Sequence, residues 1–206
     1  MGGSGRLPLC FAAMNAAGAG GEQPQDRVRD QNQLVRAFVA VSLPEHIQAV
    51  LRAWRRPPCD GVRYTTPAQW HVTLHFLGEV PDTAAVLRQL RAVPTLLGPG
   101  RPVVAAMGPA VAWFPGRRVL QVPVGGLQEL ADAVARSVAA TRSPGSPPFT
   151  GHVTLARARG RGWGPSWLAG APMQGSFPVE EIGLWSSTLR PEGSRYQVVG
   201  RIDLAS

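Results

Sequence analysis

The chain has 206 residues, 44% of them hydrophobic, enough for one large domain or two lobes sharing a core. No run approaches the ~20 consecutive apolar residues of a membrane-spanning helix, so no membrane partner is expected. The formal net charge is +8 and all 21 basic residues are Arg; codon bias explains the Arg count, but the positive field suits phosphate-rich partners either way. Cys10 and Cys59 make no disulfide framework, and neither has a second Cys or His at ligand spacing, so a reducing, cytoplasmic setting is expected.

Residues 1–33 are rich in Gly, Ala and Gln and read as a disordered extension. Leu7–Met14 is too short for a secretory core, and Met14 offers a second start. A single domain is expected over 34–206. It opens with the buried-strand run LVRAFVAV from Leu34, followed by a helix that Ser42 and Glu45 would cap, with Ile47, Val50, Leu51 and Trp54 on one face. Pro57-Pro58 stops it. A short strand near Val62 leads to TPAQWHVTLHFLGEV, where alternation and β-branching say strand. Asp82 caps a second helix carrying Val86, Leu87, Leu90 and Val93. Strands are expected between Pro102 and Val124, then a helix over Leu127–Thr141 and the loop SPGSPPF. A strand begins at His152, Arg159–Ser176 reads as irregular, and two strands near Val179–Ser187 and Arg195–Leu204 end the chain. The pattern is α+β with antiparallel sheets.

His-Val-Thr-Leu occurs twice, at His71–Leu74 and His152–Leu155, each time at the head of a strand. On a regular strand His71, Thr73 and His75 share one face while Val72, Leu74 and Phe76 share the other; His152 and Thr154 likewise oppose Val153 and Leu155. Each copy thus presents an imidazole beside a hydroxyl. If the two halves pack about a pseudo-two-fold axis, the polar pairs meet across a cleft. Two imidazoles there suit in-line attack on a phosphodiester, one taking a proton and one giving it, while the hydroxyls steady the phosphoryl oxygens. The chain has only four His, and two of them hold equivalent places in a repeat.

The paired His-x-Thr motifs resemble those of the two-histidine phosphoesterase superfamily, and specifically its RNA 2′,3′-cyclic phosphodiesterase, or 2′-5′ RNA ligase, branch. The likeness runs from Arg36 to Leu204 through RAFVAVSLP, HVTLHFLGEV, Trp113–Pro115, FTGHVTLARA and RYQVV. It implies two pseudo-symmetric lobes of antiparallel sheet with helices outside and a central cleft. It also implies hydrolysis of a terminal 2′,3′-cyclic phosphate to a 2′-phosphate, with His71 as general acid, His152 as general base and Thr73 and Thr154 on the phosphate. The same likeness implies no cofactor, RNA ends as partner and 2′-5′ ligation as a side activity; a monomer is expected. Gly151 departs from the Pro that many relatives carry before the second motif.

Several further residues have two readings each. His75 could bind a phosphate or be an ordinary strand residue. On a strand it stands about 13 Å from His71 by a rise of ~3.3 Å per residue, too far for a shared metal, so no metal site is expected. Phe149 could stack on a base or pack in the core, and core packing is preferred for Tyr196. Arg117, Arg118, Arg157 and Arg159 are candidate RNA-backbone contacts or simply a solvated basic surface, and a regular strand would turn Arg157 to the Leu155 face and away from phosphate. The competing functions are a phosphodiesterase for small cyclic nucleotides and an RNA-binding protein without turnover.

Overall fold

A computed structural model describes residues 34–98, 100–139, 148–160, 162–191 and 193–204. The expected N-terminal extension, Thr141 and most of the SPGSPPF loop lie outside the described residues. The run after Leu34 forms strand β1 (Val35–Ser42), and helix α1 spans Glu45–Ala53. The Ser42/Glu45 capping box does not form. Ser42 still belongs to β1, and Pro44, with φ fixed at −67°, becomes the N-cap; its carbonyl accepts from Ile47 and Gln48 at 3.1 and 3.0 Å. Ile47 and Leu51 are fully buried, each worth about 1.5–3 kcal/mol by apolar burial. Val50 and Trp54 are only half-buried.

Strand β2 (Val62–Tyr64) precedes a 3₁₀ turn at Pro67–Gln69, then β3 (His71–Val80). A capping box does exist here: Thr66 and Gln69 bond reciprocally across the turn. Asp82 caps α2 (Thr83–Leu90) as expected, accepting from the Ala85 amide at 3.0 Å. Val93, expected on this second helix, instead opens a separate short helix α3 (Val93–Leu97), with Pro94 in its first turn, where no amide is needed. Then come β4 (Val104–Met107), β5 (Ala112–Trp113), β6 (Val119–Gly125), and α4 (Gln128–Ser137), shorter than the expected 127–141. After them run β7 (His152–Ala158), β8 (Gly175–Pro178), β9 (Glu181–Thr188) and β10 (Arg195–Asp203). Strand β8 is new: it falls where the irregular stretch expected to end at Ser176 gives way to the strand expected from Val179, and an edge strand paired only to β4 tolerates its proline. No described helix is long and apolar enough to cross a membrane.

The fold is α+β with a mostly antiparallel, curled sheet, in the order β10-β9-β1-β3-β7-β6-β4-β8. The order is palindromic in kind. The unit β1-α1-β3 on one side answers β6-α4-β7 on the other, and the halves join where β3 meets β7. The helices cross over: α4 packs on β3 of the other half, and α1 packs on β8. The core lies between the helices and the sheet face that carries Val72 and Val153, both fully buried.

Candidate active site

Strands β3 and β7 pair at one register position, Val72 opposite Val153. In an antiparallel pair this sets His71 across from Thr154 and Thr73 across from His152, all on the face opposite the buried valines. The repeated tetrapeptide thereby yields a two-fold cluster of two imidazoles and two hydroxyls. The cluster lines a cleft of about 620 Å³ whose walls include Arg36, Phe38, Arg63, Arg157 and Tyr196.

Each motif strand leaves regular geometry just beyond its threonine. In β3, Thr73 pairs with Ala40 but His75 with Val39 and Phe76 with Phe38, so Leu74 is an extra, bulged residue. The bulge breaks the alternation expected from the sequence. His75 turns off the face that carries His71, Phe76 is 56% exposed at the cleft, and Leu77 takes the buried place expected for Phe76. A second slip follows, helped by Gly78 at φ 73°. In β7 the slip falls at Leu155: Thr154 pairs with Gln121 but Ala156 with Leu120. Arg157 therefore faces the cleft, against the expectation for a regular strand. Phe76 and Arg157 each stand five residues past their histidine.

Arg157 sits directly opposite Arg63 of β2. Like charges in direct opposition repel, so an anion held in front of the two would relieve the repulsion. Arg63 lies over Gly193, where a Cβ would overlap the guanidinium. Arg36, opposite Glu79, is the third arginine of the cleft. Nothing in the local sequence singles out Arg36 or Arg63, because the slips and pairings that aim them are long-range.

The two imidazoles have different surroundings. His71 lies among rings, with Phe38 at 4.9 Å, Trp185 stacked at 5.8 Å and Tyr196 edge-on at 5.0 Å. Tyr196, expected in the core, instead walls the cleft. Burial dominates and pushes His71 down from its ordinary 6.5 to about 4. The Gln69 carbonyl pulls upward, though Nδ1 makes no contact of full hydrogen-bond geometry, while the charges of His152 and Arg157 push further down. That carbonyl is fixed by a braced turn: Gln69 Nε2 donates to the Ser194 carbonyl at 2.8 Å, and Trp70 Nε1 to Thr65 Oγ1 at 3.0 Å. Thr65 Oγ1 in turn lies 2.8 Å from the Thr154 carbonyl, tying the turn before β3 to β7.

His152 is more open and has Phe114 as its ring neighbour, edge-on at 4.8 Å. Its Nδ1 lies 2.7 Å from the Thr150 carbonyl; donation there leaves Nε2 with a lone pair. Burial again lowers its pKa first, the Thr150 carbonyl opposes that, and Arg157 adds to the lowering. Gly151 explains its own departure from the family pattern. A Cβ built there would overlap the Val124 carbonyl oxygen, and the Val124 amide donates to the Gly151 carbonyl at 2.9 Å. Backbone meets backbone just before the histidine, and no side chain fits.

His75 and Phe149 line a second pocket of about 490 Å³ that meets the cleft at Thr73, Phe76 and His152. Among the described residues no three of His, Cys, Asp and Glu gather closely enough to hold a metal ion.

No protein-family model matches the chain. It is 31% identical over 190 residues to a Thermus thermophilus protein named RNA 2′,3′-cyclic phosphodiesterase, covering 82% of this chain and 90% of that one. Its structure is similar to that of TT0787 of Thermus thermophilus, with TM-score 0.67, 30% identity, and coverage of 83% of this chain and 98% of the other. Escherichia coli LigT complexed with 3′-AMP matches with TM-score 0.60 and 26% identity over 84% and 99% of the two chains. LigT complexed with NADP+ gives 0.63 and 25% over 84% and 100%.

Proposed function

The chain belongs to the RNA 2′,3′-cyclic phosphodiesterase family of two-histidine, LigT-like phosphoesterases, and on that premise we propose that it opens the 2′,3′-cyclic phosphate at an RNA end to a 2′-phosphate. The observation that carries this reading is the Val72–Val153 register, which supports two imidazoles and two hydroxyls around one phosphoryl group.

In this reading His152 Nε2 takes a proton from water as the water oxygen attacks phosphorus. The bond from phosphorus to O3′ breaks, and His71 gives its proton to that leaving oxygen. Thr73 and Thr154 donate to the non-bridging oxygens. The Nδ1 contact of His152 with Thr150 supports its role as base, because the other nitrogen then carries the lone pair. His71 starts neutral in the free enzyme, since its pKa of about 4 lies well below neutrality. The bound phosphodiester anion supplies the counter-charge that lets it hold a proton.

No step requires a metal, and the chemistry is complete with the chain's own groups. With a 5′-hydroxyl in place of water as the attacking group, and O3′ again leaving, the same pair would open the ring to a 2′-5′ bond. Both halves supply one histidine to a single cleft, which supports action as a monomer. Arg36, Arg63 and Arg157 favour an RNA end over a small cyclic nucleotide, since the chain upstream brings further phosphates. LigT has been solved with 3′-AMP and with NADP+, which supports a nucleotide occupant here. Cys59 is free and the composition offers no disulfide framework, in keeping with a cytoplasmic enzyme.

The test is product analysis on an oligonucleotide ending in a 2′,3′-cyclic phosphate, run in excess EDTA beside a cyclic mononucleotide. Release of the 2′-phosphate, faster from the oligonucleotide, is expected. Loss of turnover on chelation, or a 3′-phosphate product, overturns the mechanism.

A further inference from the structure

The second pocket has a character of its own. Because β3 and β7 pair only at Val72–Val153, a gap opens beyond Thr73 and ahead of His152, and α4 closes one side of it. The rings of Phe76, Phe114 and Phe149 line it, facing the small side chains of Ala131 and Ala135. Among the described residues no arginine lines it, whereas the cleft carries three. The carboxylate among its described lining residues is Asp132, exposed at the mouth, where Gln128 Nε2 donates to Asp132 Oδ1 at 3.0 Å. With that bond made, Asp132 Oδ2 and Gln128 Oε1 are the remaining acceptor oxygens of the pair.

Three aromatic rings beside small side chains, with no arginine among the described lining residues, suit a nucleobase better than a phosphate. The covalent geometry of the substrate says where the base goes. In a terminal nucleotide C2′ and C3′ carry the cyclic phosphate, the base leaves from C1′, and the upstream chain leaves from C4′. With phosphorus between the imidazoles, base and upstream chain diverge toward opposite ends of the site. Arg63 and Arg157 wall the end beyond Thr154, which takes the upstream phosphates; this pocket opens beyond Thr73, the direction in which Arg36 pairs with Glu79.

Resting on the reading of the cleft as the site of phosphate opening, we propose that the pocket against α4 holds the terminal nucleobase and that Asp132 and Gln128 select guanine. Guanine places N1–H and the N2 amino group side by side, two donors for two acceptors. Adenine and cytosine each offer one amino group beside an acceptor nitrogen. Uracil offers one N–H between two carbonyls, which face the carboxylate unfavourably. The rings of Phe149 and Phe114 hold any base by stacking and do not discriminate.

The experiment compares kcat/KM for four dinucleotides that differ only in the base bearing the cyclic phosphate, and in parallel the calorimetric binding of guanosine and uridine 2′-monophosphates. Guanine is expected to lead uracil by roughly tenfold or more, in keeping with a bidentate contact. Asp132→Asn is expected to flatten that ratio, and Phe149→Ala to raise KM for all four. Glu129→Gln, whose side chain pairs with Arg101 outside the pocket, is expected to leave the ratio alone. Equal turnover of all four bases, or a guanine preference that survives Asp132→Asn, overturns the base pocket while leaving the hydrolase intact. Guanosine-selective binding that Asp132→Asn removes, without turnover of any dinucleotide, upholds the pocket and overturns the hydrolase.

Discussion

The two copies of His-Val-Thr-Leu are identical as text and related by the register of one strand pair, yet their environments diverge. The first copy is the more enclosed: His71 has three rings around it and a pKa near 4. The second is open: His152 has the Phe114 ring, a carbonyl on Nδ1 and an arginine five residues on. Symmetry of the strands supplies two equivalent positions, and the surrounding elements make them chemically distinct. The difference teaches that one repeated motif can present two imidazoles whose burial and hydrogen bonding differ, and with them the ease of protonation.

The comparison breaks most completely if either ring is removed. His71→Ala and His152→Ala are each expected to lower kcat by roughly 10²–10⁴-fold, the span of general acid–base catalysis, with unchanged circular dichroism. Full activity in either variant would dismiss the pair.

The next largest effect is a pH dependence that belongs to His71. Its folded-state pKa of about 4 lies below the ordinary 6.5, so the unfolded chain binds more protons between those values. Stability from this residue is full above 6.5, falls as pH drops toward 4, and the loss amounts to about 3 kcal/mol when complete. Denaturant melts of wild type and His71→Gln across that window check it: the variant is expected to show the shallower fall. Saturating phosphate is expected to raise the NMR titration midpoint of both imidazoles.

A smaller effect tests the approach to the second histidine. Gly151→Ala is expected to destabilise the fold by about 1–3 kcal/mol, because the overlap with the Val124 carbonyl must be relieved by moving β6 or β7. Activity is expected to fall as His152 shifts with it; an unchanged melting temperature would show the backbones have room. Smallest is Arg157→Gln, expected to raise KM for oligonucleotides several-fold, leave kcat nearly constant and reduce the salt slope by about one. A change in kcat alone would move Arg157 from substrate binding to the chemistry.

The repeat, the strand character of both motifs and the α+β class are legible in the chain's text, because alternation and capping act over a few neighbouring residues. The text is silent where long-range register decides. Regular alternation misplaces Phe76, His75 and Arg157 for one reason: a bulge one residue past each threonine inverts the faces beyond it, and a bulge depends on the partner strand. Strand β8 escapes a local reading because its partner β4, not its own composition, makes it a strand. The aromatic wall takes Phe38 from β1 and Trp185 and Tyr196 from the distant β9–β10 pair, and only the fold brings it around His71.

The exchange of helices between halves carries one more implication. Since α4 braces the strand of the first motif and α1 lies against β8, a polypeptide severed between β4 and β6 would yield two fragments that each leave an apolar seam in water. Such fragments would regain a working centre only by reassociating, which makes the chain a natural candidate for a split reporter whose signal requires both pieces.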